Sequence, residues 1–298
     1  MRLPLAILYF LLRLTGRLPL RVLHRLGTLL GQLLWWSGGK LRHHTAVNLS
    51  LVHAQNDAAE RQRTIRQTLC ETGKSVAEIA KIWGVGPQKA LSLVRSVDGE
   101  ELFQAALSAK QGLIVAAPHL GCWELLNFWL CSRTDLAIVY RPPRHAALEP
   151  LLLKARGALK PEQVRAEGAG VRTLYKRLQA GGVVGILPDQ QPKQGEGVFA
   201  PFFGVPALTM VLVSRLAQRT GATVLFAFAE RLPQGSGFRI RFRPAPADIG
   251  AADLDLAVAA LNRGVEDCVN LAFEQYQWHY KRFQFRPDPS EPNPYWRG

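Results

Sequence analysis

Hydrophobic and polar positions alternate along this chain in short strand-like and longer helix-like blocks. An apolar, partly β-branched run at residues 113–115 is followed by Pro118 and predicts a buried strand. Residues 122–129 place apolar side chains at helical spacing, and apolar runs at 136–140 and 183–187 predict two more strands. This alternation of strands and helices predicts an α/β fold whose polar residues collect along one edge of the sheet.

The same patterns predict the remaining elements. Helices are expected over residues 57–83, 100–109, 146–160, 171–179, 209–220 and 253–273, and a pair of strands over 222–228 and 238–242. In the second strand of that pair, Arg239 and Arg241 alternate with Ile240 and Phe242, which predicts one basic and one apolar face. Residues 199–209 are aromatic and rich in turn formers, so they form either an apolar wall of a cleft or ordinary loop packing.

The N-terminus combines apolar and basic residues. Residues 3–12 are an unbroken apolar run of about half the 20 residues that cross a bilayer. The apolar pattern then continues to residue 36, and arginines recur at every fourth position, 13, 17, 21 and 25, as one helical stripe. An apolar face with a basic stripe and terminal tryptophans is typical of a helix lying in a membrane interface. The alternative is a helix packed on the rest of the protein.

The amino-acid composition limits the classes of molecule that this protein is expected to bind. The chain has 298 residues with 37 Lys and Arg against 23 Asp and Glu, a formal net charge of +14, which favours nucleic acid, anionic lipid or an acidic protein. No nucleic-acid-binding motif is present. The four cysteines form no CxxC pair and no metal-like spacing with histidine, so we expect a reducing compartment and no metal. Without a P-loop or a dinucleotide fingerprint, no cofactor is expected.

One predicted turn carries candidate catalytic residues. His119 lies between the strand at 113–115 and the following helix, and Glu124 lies in the first helical turn. The Glu124 carboxylate can therefore fold back to orient the imidazole, which leaves the other ring nitrogen to accept a proton from a hydroxyl. In the alternative, neither residue is catalytic: His119 is a polar loop residue and Glu124 is an acidic residue that stabilises the start of a helix. Cys122 is a less favoured candidate, as a nucleophile, because a free cysteine is more often a small buried residue.

Asp189 follows the predicted strand at 183–187 and is expected at the same sheet edge as His119. Carboxyl ends of parallel strands share one edge, so the two side chains are predicted to face each other. The alternative is an aspartate that stabilises a turn or caps a helix.

Several motifs together resemble the late acyltransferases of lipid A biosynthesis, the lauroyl and myristoyl transferase family. They run in family order from about residue 97 to 287 and comprise APHLGCWE, VYRPPR, the helix that carries Arg156, GILPDQQ, FAPFFGVPALT and EQYQWHYKRF. The agreement of several motifs is more specific than the short His-x4-Glu spacing alone.

The resemblance implies a glycerol-phosphate-acyltransferase-like sheet flanked by helices, with residues 1–37 as a membrane-attachment segment and 38–298 as the catalytic domain. It implies transfer of an acyl chain, with laurate expected, from acyl carrier protein to a hydroxyl of a Kdo-bearing lipid A precursor. The implied location is the cytoplasmic face of a Gram-negative inner membrane, beside anionic lipids. His119 and Glu124 match the catalytic motif, and Arg156, Asp189 and Arg141 are expected to bind substrate.

Other interpretations stay open. A related membrane acyltransferase with another glycolipid, phospholipid or aminolipid acceptor would share the motifs around His119. A basic membrane-binding module without catalysis would leave His119 and Glu124 without a role. The position acylated, the order of acylation, the oligomeric state, and single-pass or monotopic attachment are not determined by the sequence.

Overall fold

The computed structural model describes residues 3–53, 55, 57–140, 161–165 and 168–296. The strands are β1 (Val94–Asp98), β2 (Leu113–Ala116), β3 (Leu136–Tyr140), β4 (Glu162–Arg165), β5 (Val183–Ile186), β6 (Gly197–Phe202), β7 (Val205–Met210), β8 (Thr223–Arg231) and β9 (Phe238–Pro244). The helices are α1 (Leu3–Gly16), α2 (Leu20–Trp36), α3 (Lys40–Val52), α4 (Ala58–Val85), α5 (Pro87–Leu91), α6 (Glu100–Ala109), α7 (Trp123–Arg133), α8 (Ala169–Gln179), α9 (Leu212–Thr220) and α10 (Leu254–Leu271).

A seven-stranded sheet forms the centre of the molecule, in the order β1-β9-β8-β2-β5-β3-β4. Its neighbouring strands are parallel except β8 and β9, which are antiparallel. The predicted mixed α/β fold is confirmed: helices flank a mostly parallel sheet. The predicted strand pair is also confirmed, with Phe238, Ile240 and Phe242 buried on the inner face of β9.

Two hydrophobic clusters cover the two faces of the sheet. On one face, Val115 and Ile138 pack against Phe103 of α6 and Leu126 of α7. On the other face, β2, β5 and β8 pack against the apolar sides of α8, α9 and α10. The central strands β2 and β5 are buried along their whole length, which is why they read as continuous apolar runs in the sequence.

The hairpin and the two edge strands of the sheet depart from the sequence prediction. Residues 197–210 form an antiparallel hairpin, β6 and β7, where only a wall or a loop was expected. The strands β1 and β4 lie at the two edges of the sheet and were not predicted, because edge strands with sequences such as VRSVD and EQVR lack an apolar run. The helix predicted at 146–160 falls outside the described residues.

The N-terminal helices pack along α4. Gly27 and Gly31 of α2 meet Gly73 of α4 so closely that a Cβ on Gly73 would lie 2.0 Å from the Gly27 carbonyl oxygen. Between the same helices, the ring of His24 bonds to the buried Glu78 carboxylate at 2.7 Å, and Glu78 also pairs with Arg231 of β8. One face of α2 is therefore part of the core, as the alternative interpretation expected.

The opposite face of α2 is apolar and exposed. Leu33 and Trp36 expose 58% and 68% of their surface, far more than core residues do. We use the name exposed apolar stripe for a set of exposed side chains on α1, on α2 and between them: Leu11, Leu14, Leu18, Val22, Leu26, Leu29, Leu33 and Trp36. Within the described ranges, no helix has both the length and the apolarity required to cross a bilayer.

Candidate active site

The candidate site lies where two neighbouring strands end. β2 and β5 are parallel and in register, with Ala116 opposite Ile186. The turn after β2 reaches His119 and the turn after β5 reaches Asp189, each three residues beyond this pair. The prediction that Asp189 faces His119 is confirmed.

Two hydrogen bonds join the turns. The Asp189 carboxylate accepts one from the His119 backbone N–H at 2.8 Å and lies 2.8 Å from His119 Nδ1. A carboxylate at Nδ1 places the proton on that nitrogen, because an ionised carboxylate only accepts hydrogen bonds. The lone pair of the neutral ring is then on Nε2. The arrangement is that of a base and its orienting acid.

Burial alone would raise the pKa of Asp189, but the charge of His119 and its hydrogen bonds outweigh burial and lower that pKa. The carboxylate is therefore ionised at neutral pH. Tyr276 lies beside it, and burial and the Asp189 charge raise the pKa of this phenol well above its ordinary value. Tyr276 therefore stays a neutral neighbour of the pair.

The side-chain amide of Gln190 occupies the other side of the ring, with its Nε2 3.2 Å from His119 Nε2. Given the tautomer above, the amide N–H donates to the imidazole lone pair. The loop that carries Gln190 is fixed by its neighbour, because the Gln191 N–H donates to the Tyr280 hydroxyl at 2.9 Å. Both ring nitrogens of His119 thus have a partner from the turn after β5.

Glu124 lies in the first turn of α7, as predicted, and its carboxylate is buried. The indole N–H of Trp83 donates to Glu124 Oε2 at 3.2 Å. The structure differs from the sequence prediction on which carboxylate bonds to the imidazole: Asp189 holds Nδ1, the position expected for Glu124. The reason is the strand register, since the end of β5 approaches His119 more directly than a helical side chain of its own segment. Glu124 still lines the same cleft as His119.

Cys122 does not fit a nucleophile. Its thiol is buried, and burial raises its pKa well above the ordinary value, so the thiolate is not available at neutral pH. The alternative interpretation of Cys122 as a small core residue is the one that the structure supports.

His119 lines a cleft of about 700 Å³. Its floor and walls are mainly apolar and come from the strands β2, β3 and β5 and from α7. The apolar lining includes Val115, Leu126, Leu130, Leu136, Ile138, Ile186 and Met210, and charged side chains are contributed by Glu124, Lys193 and Glu196. An apolar cleft with a few convergent polar groups is the usual form of a ligand site.

The aromatic segment does not form this cleft. Phe202 packs against Phe203, Tyr276 and Trp278, while Trp129 packs against Phe103 and Phe242. Met210, the residue after that segment and the last of β7, lines the cleft. Ordinary packing, one of the two alternatives for residues 199–209, therefore describes Phe202 and Phe203.

Two predicted site residues, Arg141 and Arg156, lie outside the described residues. Two contact residues were missed. Gln190 follows Asp189 directly in the motif GILPDQQ, so its position was visible although its bond to the base was not. Trp83 is 41 positions from Glu124 and carries no local signal that would connect the two.

Comparison with known proteins gives consistent results over most of the chain. The family model for bacterial lipid A biosynthesis acyltransferases matches residues 5–285. A lipid A biosynthesis lauroyltransferase of Escherichia coli K12 is 27% identical over 276 residues, 91% of this chain and 88% of that protein. The E. coli K12 lipid A biosynthesis myristoyltransferase is 24% identical, over 93% of this chain and 84% of that protein. A phosphatidylinositol mannoside acyltransferase of Mycobacterium tuberculosis H37Rv is 28% identical, over 82% of this chain and 77% of that protein.

Proposed function

Because this chain belongs to the family of bacterial lipid A biosynthesis acyltransferases, we propose that it moves a fatty acyl chain from acyl carrier protein to a hydroxyl of a Kdo-bearing lipid A precursor. Laurate is the chain that we expect. The observation that carries the proposal is a histidine, oriented by a buried carboxylate, that lines an apolar cleft large enough for a hydrocarbon chain.

The reaction uses the lone pair on His119 Nε2. The acceptor hydroxyl takes the place of the Gln190 amide at this nitrogen and gives up its proton as its oxygen attacks the thioester carbonyl. An oxygen–carbon bond forms and the carbon–sulfur bond breaks, and the proton passes from the imidazolium to the leaving thiolate. Asp189 stabilises the imidazolium between these steps.

Gln190 has a second role in this scheme. Once the hydroxyl displaces it from Nε2, its N–H group lies beside the reacting carbonyl, where it donates to the oxygen that becomes negative. Glu124, in the same cleft, is assigned to positioning the acceptor or the turn. Arg156 and Arg141 are kept as proposed contacts to the anionic acceptor, on the resemblance of their motifs.

The proposed location is the cytoplasmic face of the inner membrane, with the N-terminal helices in contact with anionic lipids. The exposed apolar stripe on α1 and α2 supports interfacial attachment, because a contiguous exposed apolar surface of this kind marks an interaction site. The net charge of +14 suits both the acidic carrier protein and a phosphorylated glycolipid.

A second acceptor class is favoured by one comparison. The 28% identity to a phosphatidylinositol mannoside acyltransferase is similar to the identity to the lipid A enzymes. The same base and cleft serve any hydroxylated lipid, so the acceptor alone separates the two functions.

In the deciding experiment, membrane-bound protein receives acyl carrier protein loaded with chains of ten, twelve or fourteen carbons. The acceptor is a Kdo-bearing tetraacyl lipid A precursor in one series and a mannosylated phosphoinositide in a parallel series. The His119→Ala variant is expected to lose at least about 100-fold in turnover, the usual scale for loss of a general base. Product on the lipid A precursor that requires His119 supports the proposal. Product on the phosphoinositide alone replaces the acceptor, and full activity of the variant refutes the mechanism.

A further inference from the structure

A second large cleft lies away from the catalytic one and shares none of its lining residues. It measures about 860 Å³ and lies between α2, α4 and the end of β8. We call it the α2–β8 cleft, and its polar lining includes Arg21, His24, Arg25, Thr28, Lys74 and Arg231. The proposed transfer reaction gives it no role.

The charges in this cleft do not balance. Arg231 is buried and paired with Glu78 and Glu71, and Lys74 is paired with Glu71. Arg21 and Arg25 are also at the cleft but have no hydrogen bond or ion pair from their guanidinium groups within the described ranges. Four basic side chains line the cleft, and two carboxylates, Glu71 in the lining and the buried Glu78, pair with them, which leaves an excess of two positive charges.

The far wall of the cleft is a tight turn, residues 233–235, pressed onto α2. A Cβ on Gly235 would lie 2.7 Å from the Arg21 backbone, and Gly235 has a φ of +67°. The preceding residue, Gln234, has a φ of +56°, a conformation that residues other than glycine rarely adopt. The turn is thus held in a specific conformation against the helix that supplies both unpaired arginines.

The cleft opens beside the exposed apolar stripe. Leu29 belongs to both, since it lines the cleft and exposes 56% of its surface. On α2, Arg21 and Arg25 lie one helical turn apart along the edge of the stripe that holds Val22 and Leu26. A molecule that fits both features has an anionic head for the arginines and hydrocarbon chains for the leucines.

We propose that the α2–β8 cleft binds the phosphate headgroup of an anionic phospholipid, with the acyl chains of that lipid along the exposed apolar stripe. Guanidinium groups bind phosphate oxygens through paired N–H donors. An anionic headgroup therefore suits two arginines better than a zwitterionic headgroup does. The site anchors the protein at a defined lipid. It deepens the proposed contact of the N-terminal helices with anionic lipids and rests on that contact, but it is independent of the transfer reaction, because its ligand is neither donor nor acceptor.

The test counts bound lipid, so its result does not depend on turnover. Full-length protein in a non-ionic detergent receives equal amounts of phosphatidylglycerol and phosphatidylcholine, and native mass spectrometry records what each chain retains. One phosphatidylglycerol per chain is expected. The R21A/R25A variant is expected to retain it about 30-fold more weakly, from the usual contribution of two basic residues near anionic lipid.

The matched control is R63A/R66A, which removes the same charge from two exposed arginines of α4 outside the cleft. It should retain phosphatidylglycerol as the unmodified protein does. Equal loss in both variants, equal retention of phosphatidylcholine, or no retained lipid would overturn the proposal. So would binding of inorganic phosphate without lipid, which would make the cleft a soluble-phosphate site. Thermal unfolding of R21A/R25A should match the unmodified protein, because neither guanidinium group has a hydrogen bond or ion pair within the described residues to lose.

Discussion

Asp189 decides how His119 acts, at the scale of single residues. Its carboxylate bonds to both the ring and the backbone N–H of His119, so it fixes the ring orientation and the tautomer together. A neutral amide at this position would keep the shape but would not stabilise the imidazolium, and it would no longer select the Nδ1–H tautomer.

We therefore expect Asp189→Asn to lower kcat at least about 100-fold with a smaller change in KM, since Asp189 stabilises the positive charge that develops on His119 mainly in the transition state. Glu124→Gln serves as the matched variant, because it also converts a buried carboxylate in the same cleft to an amide. Its expected loss is smaller. Near-normal kcat in Asp189→Asn beside a large loss in Glu124→Gln would return the orienting role to Glu124.

His279 provides a titration that stability measurements can detect. Burial and the neighbouring His44 and His119 lower its pKa from 6.5 to about 4, and its ring contacts the Thr72 hydroxyl at 3.5 Å. Between these pH values the unfolded chain binds a proton that the native protein does not. The contribution to the free energy of unfolding is therefore fully present above pH 6.5 and declines as the pH falls towards about 4.

Lowering the pH from 7.5 to 5 should cost about 1 to 2 kcal/mol through this residue, a value reduced for its partial exposure. Urea unfolding at both pH values measures the loss, and His279→Asn should remove that part of the pH dependence. If the variant and the unmodified protein lose the same free energy between the two pH values, His279 is not the group responsible.

At the scale of elements, the sequence predicted most of what places the site. Buried central strands appear as apolar runs because both faces are covered, and the polar residue after each run marks the sheet edge. That reasoning was enough to bring His119 and Asp189 together. It could not choose between two carboxylates, because that choice depends on the register of β2 and β5, which no local pattern encodes.

The elements that the sequence analysis missed lacked a local sequence signal. β1 and β4 are edge strands without an apolar run, and the β6–β7 hairpin turns at Phe203 and Gly204, which contains none of the usual two-residue hairpin signals. The contact of Trp83 with Glu124 depends on how α4 packs against α7. Such long-range packing emerges only in three dimensions.

Gly185 of β5 leaves the cleft wide where this strand lines it. It lines the cleft without a side chain, and an added Cβ would meet nothing nearer than Leu136 Cδ1 at 3.7 Å, an ordinary contact. An added Cβ therefore fits the strand, and a side chain at this position takes space from the proposed acyl-chain site.

We expect Gly185→Val to shift the preference of the enzyme towards shorter donors. Exclusion of two methylenes, at about 0.8 kcal/mol each, should change the ratio of kcat/KM between adjacent donors at least about tenfold. Gly185→Ala should give a shift in the same direction but smaller. An unchanged ratio in a folded Gly185→Val variant would show that the acyl chain lies elsewhere.

At the scale of the whole molecule, α2 connects the core to the surface that we assign to the membrane. One face is locked to α4 by close glycine contacts and by the buried His24, while the other presents leucines and Trp36 to the outside. The N-terminal segment is thus integrated into the fold on one side only. Substitutions on its outer face should change membrane attachment without a change in stability.

The variant L26S/L33S tests this division, because Leu26 and Leu33 lie in the exposed apolar stripe but do not line the α2–β8 cleft. Loss of about 1 kcal/mol of burial for each leucine should weaken partition into vesicles about 30-fold, measured by co-sedimentation. The control L256S/L271S removes two exposed leucines from α10 and should bind vesicles normally. Both variants should unfold at the temperature of the unmodified protein, since the altered side chains are exposed in each. Equal vesicle binding by the two variants would mean that α2 does not meet the bilayer through this stripe, and attachment would then depend on charge alone.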